Sequence, residues 1–178
     1  DMDIVSASKN DGTITWYEND GAADPSWTAS DIVTSATDAK SVFAADMDND
    51  GDMDIVSANY YKIVWYENDG AADPSWSAAD VSSTRVNGGE SVFAADMDND
   101  GDMDIVSASY NDDAIAWYEN NGAADPSWTA VVIATSADGA LRVCVADLDG
   151  DGELDIVSAS ANDDAIALYE NNGAADPS

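Results

Sequence analysis

The stretch Ala95–Ala108 reads ADMDNDGDMDIVSA, an acidic segment turned at a glycine and followed by a short apolar run. The same string stands at Ala45–Ala58, and a relaxed copy, ADLDGDGELDIVSA, at Ala146–Ala159. Two other phrases keep step with it. WYEN recurs at Trp16, Trp65 and Trp117, with LYEN at Leu168, and GAADPS starts at Gly21, Gly70, Gly122 and Gly173. The equivalent positions Asp1, Asp52, Asp102 and Glu153 lie 51, 50 and 51 residues apart, so the 178 residues hold about 3.5 copies of one unit.

In the third unit the runs SVFAA (Ser91–Ala95), DIVSAS (Asp104–Ser109), AIAWY (Ala114–Tyr118) and WTAVVIAT (Trp128–Thr135) are bounded by Asn, Asp, Gly and Pro. Short apolar runs with such boundaries predict strands, and no segment keeps the 3.6-residue period of a helix. Four strands per unit of about 50 residues predict an all-β fold of β-propeller blades, each of four antiparallel strands. Apolar residues on both strand faces predict that each blade is sandwiched between neighbours. The expected units are 1–40, 41–90, 91–140 and 141–178, the first lacking its first strand and the last its fourth. Rings of this kind close with about 4 to 8 blades. The frame therefore predicts a segment of a longer repetitive protein, or copies that complete one another.

The carboxylates inside each unit follow D-x-D-x-D-G-x-x-D. They are Asp46, Asp48, Asp50 and Asp54, then Asp96, Asp98, Asp100 and Asp104, then Asp147, Asp149, Asp151 and Asp155. Position seven adds Asp52, Asp102 and Glu153. Acids packed this closely repel unless a cation sits among them. Hard oxygen ligands at alternate positions, with a glycine for a sharp turn, suit Ca²⁺, which takes roughly 6 to 8 oxygens. Positions one, three and five would supply side-chain oxygens, position seven a backbone carbonyl and position nine another carboxylate. Three Ca²⁺ sites are thus predicted, one per complete loop. An EF-hand is excluded, because its loop needs a Glu at position twelve and flanking helices. Here position twelve is Ser57, Ser107 or Ser158, and the flanks are predicted strands. Mg²⁺ fits less well, since it usually keeps several waters.

With those motifs in place, the chain resembles the FG-GAP or VCBS repeat family, the blades of integrin-α-like propellers. The specific element is V-x-x-A-D-x-D-x-D-G-x-x-D-I-V at Val42–Val56, Val92–Val106 and Val143–Val157. The resemblance implies a calcium ion in the loop between the first and second strands of a blade, held by the residues named above. It also implies a secreted, extracellular or cell-surface setting and a part in adhesion, recognition or assembly. The departure is at the start, where Asp1 and Asp3 match only loop positions seven and nine.

Composition narrows the function classes. There are 37 acidic residues against 5 basic ones and no histidine, for a net charge of −32. Nucleic acid and anionic membranes are excluded as partners, because both are bound through clustered Lys and Arg. Histidine-dependent catalysis and imidazole metal sites are excluded outright. No apolar run approaches the roughly 20 residues that span a bilayer, so no direct membrane insertion is expected. Three Ca²⁺ ions would bring −32 to about −26, leaving most of the acid as a solvated shell.

Other residues are read as structural. Trp16, Trp65 and Trp117, and Trp27, Trp76 and Trp128, recur once per unit and predict inter-blade core, with Leu168 an apolar replacement. Glu18, Glu67, Glu119 and Glu170 recur too, which predicts hydrogen-bonding or solvated roles rather than an acid–base pair. Cys144 stands where Phe43 and Phe93 stand and is expected to be buried. Arg85 and Arg142 are expected to pair with nearby acid. Non-repeated function would lie at Tyr60-Tyr61-Lys62, where the second unit shortens a hairpin, or at Arg85, Arg142 and Cys144. The expectation is a non-enzymatic calcium-binding structural or adhesion module. Its partners would be other copies of itself, the rest of a longer chain, or extracellular proteins and glycans. The alternatives are a glycan-binding lectin-like propeller and an accessory propeller of a polysaccharide-active enzyme.

Overall fold

The computed structural model describes residues 2–82 and 86–173. Among them are fourteen strands in four antiparallel sheets and no helix. The first sheet holds β1 (Ile4–Ser8), β2 (Thr13–Asn19) and β3 (Trp27–Val33). The second holds β4 (Ser41–Ala45), β5 (Asp54–Asn59), β6 (Lys62–Asn68) and β7 (Trp76–Asp80). The third holds β8 (Gly89–Ala95), β9 (Asp104–Ser109), β10 (Ala114–Asn120) and β11 (Trp128–Ala134). The fourth holds β12 (Ala140–Ala146), β13 (Asp155–Ser160) and β14 (Ala165–Tyr169). Strands follow chain order in every sheet, so each connection is a hairpin.

The turn residues explain the strand ends. The β9–β10 and β13–β14 turns close on Asp113 and Asp164 in the left-handed conformation, and β1–β2 closes on Gly12 in the same way. The second sheet replaces this turn with Tyr60-Tyr61 alone, the shortened hairpin expected from sequence. Strand β8 begins two residues before the expected Ser91, because the pairing is bulged between Gly89 and Ser91.

Packing between sheets is sequential. Strand β8 lies against β4 and β5 of the preceding sheet, and β12 lies against β8 and β9. Three cores result, one for each pair of consecutive sheets. Strands β5 and β9 are buried along their whole length, which explains why DIVSAN and DIVSAS lack apolar–polar alternation. Every sheet has two distinct apolar faces. Toward the preceding sheet it presents an Ile–Tyr cross-strand pair, such as Ile105 and Tyr118. Toward the following sheet the first three present a Val–Trp pair, such as Val106 and Trp117, while the fourth pairs Val157 with Leu168.

The Trp residues divide by position. Trp65 and Trp117 are buried, Trp76 and Trp128 pack at the margins of cores, and Trp27 is exposed. Leu168 is exposed as well, so it is no evidence of a tolerated core exchange. Cys144 departs from expectation in the same way. Phe43 and Phe93 stack across the second and third sheets at 4.7 Å, but Cys144 ends that row and is exposed. Among the described residues no sheet follows the fourth to cover it. Arg142 donates to the backbone carbonyls of Glu90 and Leu141 rather than to a carboxylate, and Arg85 lies outside the described residues.

Candidate metal centres

Each acidic stretch forms the hairpin loop between the first two strands of its sheet: β4–β5, β8–β9 and β12–β13. The loop folds because its carboxylates accept bonds from its own backbone. Asp46 Oδ2 accepts from Gly51 N at 3.0 Å, and Asp96 Oδ2 accepts from Gly101 N at 3.0 Å. Asp147 Oδ2 accepts from Gly152 N at 3.1 Å. Asp50, Asp100 and Asp151 each accept from the N–H two residues on, at 2.9 Å. The glycine is required by conformation: Gly51, Gly101 and Gly152 have φ of 98°, 97° and 96°, while a Cβ there would meet open space.

This folding gathers the carboxylates. Oxygens of Asp46, Asp48 and Asp50 lie within 4.8 Å of one another, as do those of Asp96, Asp98 and Asp100. In the third loop the group is Asp147, Asp149 and Asp155, with Asp151 outside it. Burial, and then the neighbouring loop carboxylates, push Asp48 and Asp98 above the ordinary carboxylate range, and Glu119 adds to the effect on Asp98. Asp46 Oδ1 is buried with no hydrogen-bond partner. A cluster of hard oxygen donors, one of them buried and unsatisfied, fits a divalent cation of the calcium kind.

Position nine has a second job. Asp54 Oδ1 accepts from Asn68 N at 2.8 Å and Oδ2 from Met47 N at 3.1 Å. Asp104 does the same with Asn120 N and Met97 N, and Asp155 with Asn171 N and Leu148 N. These carboxylates are almost fully buried and tie the loop to the end of the third strand. Asp3 is their counterpart in the first sheet, accepting from Asn19 N and from the Trp16 indole at 2.9 Å each. Asp1 lies outside the described residues.

Position seven turns its side chain away from its own loop. Asp102 Oδ1 accepts from Asn49 Nδ2 of the preceding loop at 2.6 Å, and Glu153 Oε2 accepts from Asn99 Nδ2 at 2.8 Å. Neighbouring loops are therefore bonded to each other. Asp52 and Asp102 also pack against Gly70 and Gly122, where a Cβ would stand 2.1 Å from the carboxylate oxygen. Sequence reasoning missed Asn49 and Asn99, because nothing in the motif says which loop faces which. It also passed over the Asn of WYEN, although that residue recurs in every unit. Asn120 Nδ2 donates across to the Met47 carbonyl at 2.9 Å, and Asn171 Nδ2 to the Met97 carbonyl at 2.8 Å.

The buried position-nine acids give the site a pH dependence. Burial raises the Asp54 carboxyl to about 6 and the Asp104 carboxyl to about 7, against N–H bonds that lower both. In the unfolded chain both titrate near the usual 3.8. Between that value and pH 6 to 7 the folded state holds more protons, so stability falls as pH rises through the window. Without divalent cations the protein should be more stable at about pH 5 than at about pH 8, by a few kcal/mol. Melts in chelator-containing buffers test this, and a melting temperature that increases toward pH 8 would contradict it.

A family model for the FG-GAP-like repeat matches the chain three times, over residues 1–57, 46–107 and 96–158. The second and third matches begin at the first carboxylate of one loop and end just beyond the next loop. No curated protein matches the chain.

Proposed function

The chain belongs to the FG-GAP-like repeat family, and from that membership we propose that it is a calcium-binding structural or adhesive module of propeller blades. In this reading the module is non-enzymatic and works outside the cell. The observation that carries it is the carboxylate group formed at the same hairpin of three successive sheets, with Asp46 Oδ1 buried and unpartnered. Asp46, Asp48 and Asp50, Asp96, Asp98 and Asp100, and Asp147, Asp149 and Asp155 would hold the ions. A backbone carbonyl at position seven and the remaining carboxylate of each loop are available to complete the shell. Bound Ca²⁺ would offset the mutual repulsion of these acids and fix the loop between two strands. Acidic composition and the family's usual setting support the extracellular assignment. No helix among the described residues is long and apolar enough to cross a membrane.

Because the ion binds the folded loop, calcium should raise the melting temperature by roughly 5 °C or more over chelated protein. Titration calorimetry should count three sites. Equal melts with calcium and with chelator would sink the assignment. One observation favours glycan binding as a second reading. Tyr60 and Tyr61 form an edge-to-face pair at 4.5 Å beside an open hollow lined by Lys9, Asp11, Thr37 and Asp38. Glycan-array binding that Tyr61→Ala abolishes would move the assignment there.

A further inference from the structure

Neighbouring acidic loops are tied to each other twice, once at the surface and once in the interior. The outer tie runs from position four of one loop to position seven of the next: Asn49 to Asp102, and Asn99 to Glu153. Asn49 and Asn99 have φ of 61° and 60°, the left-handed region that Asn tolerates better than most residues. The inner tie is made by the Asn that ends the third strand. The Asn120 amide donates to the Met47 carbonyl, at position two of the preceding loop, while its backbone N–H donates to Asp104, at position nine of its own. Asn171 repeats this between the Met97 carbonyl and Asp155. Positions two and four of one loop are thus fixed to positions seven and nine of the next. Position two lies between the first and second carboxylates of a loop, and position four between the second and third.

We propose that the three acidic loops take up calcium as one coupled row, an occupied loop raising the affinity of the loop beside it; this rests on the calcium reading of these loops. Both ties need both loops in their folded shape. An empty loop holds three carboxylate oxygens within 4.8 Å of one another, and their repulsion opposes that shape. Occupancy of one loop removes its share of the repulsion and fixes its half of each tie. The neighbouring loop then finds its partners already in place and has less to order when it fills. The inner tie is the stronger carrier. Asn120 and Met47 are both buried, so a loop that loosens leaves an amide and a carbonyl without partners and without water. Linkage makes the effect mutual, so each loop favours its neighbour by the same factor. The net charge of −32 works the other way, because each bound cation weakens the attraction for the next. Physiological salt screens that long-range term and leaves the contacts between loops.

The test is equilibrium dialysis of the 178-residue chain against calcium buffers at physiological salt, counting bound ions at each free concentration. The third loop supplies the variant, since Gly150 stands where the others have Asn49 and Asn99 and has φ of 82°. Asn49→Gly with Asn99→Gly therefore removes the outer tie and leaves a residue that suits the backbone. The wild-type chain should fill with a Hill coefficient above one. The double variant should lower that coefficient toward one and raise the half-saturating calcium concentration by about 5-fold. A purely structural role for the two Asn side chains would lower the melting temperature in chelator and leave the shape of the binding curve unchanged. A wild-type Hill coefficient of one or less overturns the coupling, while three bound ions would leave the calcium reading standing. A coefficient above one that the double variant does not change overturns it as well. A chain that binds no calcium overturns both readings together.

Discussion

Trp117→Ala is expected to lower the unfolding free energy by about 3–5 kcal/mol. The side chain is almost wholly enclosed between the third and fourth sheets, in a core that includes Met97, Ile115 and Ile156. Its buried indole N–H favours the charged form of the Asp104 carboxylate, so a polar contribution accompanies the loss of packing. The cavity left behind is walled by strands that are hydrogen-bonded on both sides and cannot collapse into it. Trp27→Ala supplies the contrast. Trp27 is exposed at the outer strand of the first sheet, and its removal should cost less than about 1 kcal/mol. Chemical denaturation of both variants reads the difference. A Trp117→Ala loss below about 1 kcal/mol would contradict the packing described here.

The second large effect is expected at Asp104, where Ala should cost about 3–5 kcal/mol and Asn roughly half of that. Both carboxylate oxygens are acceptors: Oδ1 takes the Asn120 N–H at 2.8 Å and Oδ2 the Met97 N–H at 3.1 Å. Alanine leaves two N–H groups without their acceptor in a buried place. Asparagine keeps the volume but turns an NH₂ toward one of the two donors, so one bond is replaced by a donor–donor contact. The order of stability should therefore be wild type, then Asn, then Ala, in chelated protein as well as with calcium. An Asn variant that unfolds with the wild type would show that the second bond contributes nothing. The same carboxyl is raised to about 7 by burial, so these denaturations belong above that pH, where the group is ionised.

Strand positions were legible in the sequence because each is fenced by residues with a mechanical reason to turn. Asn111-Asp112-Asp113 and Asn121-Gly122 bracket β10, and the left-handed Asp113 and Gly122 show why. The acidic loops were legible because alternate carboxylates and a glycine dictate a local fold that closes on itself. Contacts made between units were not legible. Asn49 reaching Asp102, and Asn120 reaching the Met47 carbonyl, depend on how one sheet leans on the next. Position nine was read only as a ligand, because its motif does not reveal that its two oxygens also hold two strand ends. Cys144 and Leu168 were read from their repeat equivalents, but among the described residues no sheet packs on them as it does on those equivalents.

The bonds between neighbouring loops give the array a direction of growth. Each link runs from the Asn of one loop to the position-seven acid of the next, as Asn49 to Asp102 and Asn99 to Glu153. The loop of the fourth sheet carries Gly150 where the others carry Asn, so it can accept a link but has no side chain to pass one on. Duplicating the second or third unit in place would lengthen the row without inventing a contact. Duplicating the fourth would cut it. Tandem copying of the second or third unit would therefore preserve every link, and their loops share one sequence over Ala45–Ala58 and Ala95–Ala108.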